Sequence, residues 1–80
     1  MTKQKTRINE KAEGLIKSAE FAIENESYGT ARFLYQEARR MYQEIGNKEK
    51  VIKANDEIKS IDELLHEKFG DKADHLKTLD

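Results

Sequence analysis

The chain contains no cysteine, no proline and no tryptophan among its 80 residues. Without cysteine there can be no disulfide, no thiolate zinc site and no thiol nucleophile, as expected of a protein kept in a reducing cytoplasm. Without proline, nothing removes a backbone donor or forces a kink, so long uninterrupted helices are permitted. Long apolar runs are lacking too. No segment approaches the roughly 20 apolar residues needed to cross a bilayer. The basic start, MTKQKTRINEKAEG, is followed by no apolar stretch, so it does not read as a secretory signal. Nor does charge of one sign dominate: 15 basic residues face 16 acidic ones. That balance counts against attraction to nucleic acid. The one local exception, Lys3, Lys5 and Arg7, falls in a stretch, residues 1–7, expected to be a flexible, solvated terminus.

Apolar residues are few, but they are periodic. Ile8, Ala12, Leu15, Ile16, Ala19, Ala22 and Ile23 lie on one stripe of a helix with 3.6 residues per turn. Tyr28, Ala31, Tyr35, Ala38, Tyr42 and Ile45 form a second stripe, widened by Leu34 and Met41. A face that wide predicts a central helix touching neighbours on two sides. Val51, Ala54, Ile58, Ile61 and Leu65 form a third, flanked by Leu64 and Phe69.

Turn residues separate the stripes. Ser27 is suited to cap the second helix through its hydroxyl. Ile45-Gly46-Asn47 ends that helix, with Gly46 in the left-handed conformation and Asn47 capping the next. Phe69-Gly70 is expected to end the third in the same manner. Gly14 and Gly29, inside the first two helices, suggest close backbone approach. The expectation is an all-α, three-helix, up-down-up domain over residues 8–69, with helices at about 8–25, 27–45 and 48–69. Residues 70–80 form a short tail, at most a helical turn through Ala73, Leu76 and Leu79.

Tyr28, Tyr35 and Tyr42 recur every seven residues, on one side of the second helix. A base-stacking platform would surround such rings with cations. Here they alternate with Ala31 and Ala38, which let another helix come close. The ladder therefore reads as core, together with Leu15, Ala19, Ile45, Ile58, Ile61 and Leu65. Phe21 and Phe33 point away from their own stripes and form a candidate exposed contact patch. Arg32, Arg39 and Arg40 on the outer side of the second helix read as surface pairing with Glu37 and Glu44.

Nothing in the chain forms a catalytic set. His66 follows Asp62, and His75 follows Asp71, each by four residues, but zinc wants three or four converging ligands. No GxSxG, no phosphate-cradling glycine loop and no plausible triad is present. The reading is no enzyme, no metal and no cofactor.

Residues 12–45 span the 34 positions of a tetratricopeptide repeat and resemble one. Leu15 stands at the large position of the first helix and Ala19 at the small one. Tyr28, Ala31, Tyr35 and Ala38 match the aromatic–small series of the second helix. The chain departs at Ala22, where the repeat has a bulky residue, and at Ile45-Gly46, where it has proline. With its longer third helix, the segment from Ile8 to Phe69 is similar to MIT domains as well. Both likenesses imply a scaffold (TPR-like, adaptor in kind) that holds a peptide or partner helix in a groove. The repeat's inner surface maps onto Ile16, Glu20, Ile23 and Glu24, which implies a basic amphipathic helix as partner. Two alternatives follow from other residues: self-association through Phe21 and Phe33, and a small nucleic-acid-binding regulator using the basic start and the second helix.

Overall fold

The computed structural model describes the backbone of residues 2–79 and the side chains of residues 3–67. Three helices follow one another: α1 Thr2–Glu24, α2 Tyr28–Glu44 and α3 Lys48–Leu79. No strand occurs among the described residues. The architecture is the all-α, up-down-up arrangement, and the third helix is the longest.

Two helix ends differ from expectation. α1 begins at Thr2 and not at Ile8, because Lys3 to Arg7 are adequate helix formers with no glycine or proline among them. α3 runs through Gly70, where a stop was expected. An interior glycine costs about 1 kcal/mol, and the residues after it include no breaker, so the hydrogen-bond ladder continues. Side chains at Phe69, Ala73, His75, Leu76 and Leu79 lie outside the described residues.

The two connections are built alike. At the first, Glu26 takes φ +59°; its N–H donates to Ile23 O, and the Ser27 N–H to Ala22 O. At the second, Gly46 takes φ +71°; its N–H donates to Gln43 O, and the Asn47 N–H to Tyr42 O. Both are Schellman closures, in which one left-handed residue satisfies the last carbonyls of a helix. The residue after it starts the next helix. Asn47 does so as expected, its Oδ1 accepting the Lys50 N–H at 3.2 Å. Ser27 starts α2 through its backbone alone: its carbonyl accepts the Ala31 N–H, and its side chain makes no capping bond. Gly14 and Gly29 mark no close approach either, since a Cβ at either would meet nothing within 4 Å.

Small side chains dominate the interior. Ala12, Ala19, Ala31 and Ala38 are fully buried, and Ala22 and Ala54 nearly so. One cluster joins Ala19, Ala22, Ala31, Tyr35, Ile58 and Ile61 across all three helices. The other joins Ala12, Ala38 and Tyr42, with Ile16 packed against both clusters. Leu15, Tyr28, Ile45 and Leu65, expected in the core, are half-buried and cover its margins. The tyrosine rings supply the bulk that the alanines lack.

Helix α2 is the spine. It packs on α1 along one flank and on α3 along the other. Among the described residues, no Cα of α1 comes within 8 Å of one in α3. The outer helices therefore stand apart with α2 beneath them.

Candidate binding groove

The space between the outer helices is a groove of about 420 Å³. Tyr35 and Tyr42 from α2 form its floor, with Ile16 and Ala54 as the apolar lower walls. Glu13, Lys17 and Glu20 line it from α1, and Lys50, Lys53 and Glu57 from α3.

Helical rise fixes the order of these groups. Glu13 and Glu20, Tyr42 and Tyr35, and Lys50 and Glu57 are each seven residues apart, or roughly 10.5 Å along a helix. Because α2 runs opposite to α1 and α3, the three pairs fall into two rungs. Glu20, Tyr35 and Glu57 make the upper rung; Glu13, Tyr42 and Lys50 make the lower. Lys17 and Lys53 lie between.

Electrostatics agree with that placement. Burial pushes the Tyr35 phenol up to about 12, with Glu57 and Glu20 adding to the rise. Burial also raises Tyr42, with Glu13 contributing. A nearby carboxylate disfavours a phenolate by like-charge repulsion. The rings are almost wholly enclosed, yet among the described residues no buried side-chain nitrogen or oxygen lacks a partner. The hydroxyls accordingly open onto the groove, as neutral donors and acceptors.

Of the groove residues expected from sequence, Ile16 and Glu20 line the space. Ile23 turns instead into the cluster containing Ile58 and Ile61, and Glu24 is exposed outside it. The acidic bias of Glu20 and Glu24 is not reproduced, because three lysines offset three carboxylates along the walls. The contribution of α3 was missed altogether. Its signal was present, since Ala54 lies on the packed stripe and Lys50, Lys53 and Glu57 flank it at steps of one turn.

Phe21 and Phe33 are 67% and 58% exposed, as their wheel positions imply. Each lies two residues, a 200° turn, from a buried residue of its own helix (Ala19 and Tyr35). They occupy outer surfaces, away from the groove. Ile52, 61% exposed, belongs with them and went unnoticed. The same wheel argument applies to it: it stands two residues from the buried Ala54.

The arginines of α2 are engaged differently from the expected pairing along their own helix. Arg32 donates to Asp62 at 2.6 Å and Arg39 to Asn55 at 2.7 Å, both on α3. Arg40 alone pairs within α2, with Glu37 at 3.5 Å. Asp62 is thus committed to an arginine rather than paired with His66. No group of three or more potential metal ligands converges among the described residues. No described helix is long and apolar enough to cross a membrane.

Compared with known proteins, the chain matches no family model, no curated protein and no solved structure.

Proposed function

We propose that the chain is a non-catalytic interaction module that holds an amphipathic helix of a protein partner in the groove between α1 and α3. One observation carries this reading. Two helices stand on a shared third with no Cα of one within 8 Å of the other among the described residues, and leave a trough floored by aromatic rings and edged by charge. Helix-in-groove recognition uses such a surface: apolar anchors at helical spacing enter the floor while polar groups at the rim fix the register. The tetratricopeptide and MIT likenesses of the Tyr28-x-x-Ala31 and Tyr35-x-x-Ala38 steps support the same use. The partner's polar stripe needs charges of both signs, because the walls carry both.

Titration with labelled amphipathic helical peptides, followed by amide chemical shifts, tests the proposal. Saturable shifts at Ile16, Tyr35, Tyr42 and Ala54 are the expected result. Shifts centred on Phe21 and Phe33 would move the partner to the outer surface, and no saturable binding would end the reading.

A further inference from the structure

The groove is not evenly charged along its length, and its order of charges predicts which way a partner lies. The upper rung holds two carboxylates, Glu20 and Glu57, and no cation. Below it stand three lysines, Lys17, Lys50 and Lys53, against the single carboxylate Glu13.

The same polarity extends beyond the groove in both walls. The Thr2–Lys11 stretch of α1 holds Lys3, Lys5, Arg7 and Lys11 against Glu10 alone, whereas Glu20 to Glu26 includes three carboxylates and no cation. In α3, Lys48, Lys50 and Lys53, with Glu49 among them, precede a stretch from Asp56 to Glu67 with five carboxylates and one lysine. α1 and α3 run in the same direction, so their charge gradients add. Helix stability does not account for the gradient in α1. The helix macrodipole favours acids at the N-terminus and bases at the C-terminus, and α1 has the reverse, whereas α3 does carry one acid, Glu49, in its first turn. α1 has no acidic residue in its first turn.

From this we infer that the groove selects partner helices by the order of their charges. The partner is acidic in its N-terminal half and basic in its C-terminal half, with an apolar stripe between. It lies parallel to α1 and α3, with its basic end at Glu20 and Glu57 and its acidic end over the lysines. An acidic N-terminus and a basic C-terminus also suit the partner's own macrodipole, so helix formation and docking favour the same sequence. Acidic and basic positions about seven residues apart span the two rungs. The inference rests on the groove reading above and adds the partner's charge order and direction.

Three synthetic helices of about 18 residues, identical in composition and apolar stripe, provide the test. One is acidic then basic, one has its charges scrambled, and one is basic then acidic. Binding to the intact chain is measured by anisotropy, and a nitroxide on each peptide's last residue reports direction by broadening nearby amides. The acidic-then-basic peptide is expected to bind about tenfold more tightly than the scrambled one, as several rim ion pairs together supply. That advantage shrinks at about 0.5 M salt. Its nitroxide is expected to broaden amides around Glu20 and Glu57. In a Glu20→Lys, Glu57→Lys double variant, at two exposed positions, the preference over the scrambled peptide is lost. Equal binding of ordered and scrambled peptides overturns the inference while leaving the groove as a docking site. So does broadening around Lys50, or a double variant that keeps the preference while its circular dichroism is unchanged. If none of the three binds, or if the chain covers the groove by dimerising before peptide is added, both readings fall.

Discussion

Arg32 on α2 donates its Nε–H to Oδ1 of Asp62 on α3 at 2.6 Å, and seven residues along each helix Arg39 repeats the reach to Asn55. The two bonds brace the α2–α3 interface on its solvent side, in one register of the two helices. Asp62 and Asn55 lie on the side of α3 turned away from Lys50, Lys53 and Glu57. The alignment that the core packing gives the rungs is thus matched by a pair of contacts outside the groove.

The Arg32–Asp62 pair is half-exposed on both sides, so its own energy is small. A double-mutant cycle with Arg32→Met and Asp62→Asn is expected to give a coupling of about 0.5 kcal/mol. Urea unfolding measures it. The Arg40–Glu37 pair, longer and with Arg40 well exposed, gives less.

The two helix starts are unequal in a way that substitution exposes. Asn47→Ala removes a side-chain acceptor for the Lys50 N–H and should cost about 1 kcal/mol. Ser27→Ala removes no capping bond and should be close to neutral. Gly14 is exposed in mid-helix with open space where a Cβ would go. Gly14→Ala is therefore expected to stabilise the chain by about 1 kcal/mol. Thermal unfolding of the three variants gives the order.

Tyr35 supplies the alkaline limit. Its phenol ionises at about 12 when folded and at 10.0 when unfolded. A raised folded value means that the neutral form is the one the fold favours. The stabilisation is intact below pH 10 and is lost as pH climbs from there to 12, with a ceiling of about 3 kcal/mol. Tyr35→Phe should flatten that decline and remove the latest phenolate step in an ultraviolet titration. If the decline persists unchanged in the variant, another group causes it.

Much of the fold was legible because helical stripes report packing directly. Ala12, Ala19, Ala31, Ala38, Ala54, Ile58 and Ile61 are buried where their spacing placed them. Gly46 and Asn47 punctuate the chain as their chemistry dictates. The first turn was harder to read, since Glu26 adopts the left-handed conformation without being glycine. Helix ends at Thr2 and Leu79 were hidden because polar residues of good propensity extend a helix without leaving an apolar mark. The groove was only half visible for a different reason. Its second wall comes from α3, and which α3 residues face α1 is decided by the stagger of two helices whose backbones stay apart. No spacing within one helix encodes that stagger; it emerges from two separate alignments on α2.

That the backbones of α1 and α3 approach α2 and not each other, among the described residues, has a kinetic consequence. Among the described residues, every pair of helices whose Cα atoms come within 8 Å is consecutive in the chain, across connections of three residues each. No distant segments must find one another before native contacts reward the search, and topologies of this kind fold quickly. The trough is thus the by-product of two short-range dockings on α2, and its walls need no backbone contact of their own to be placed.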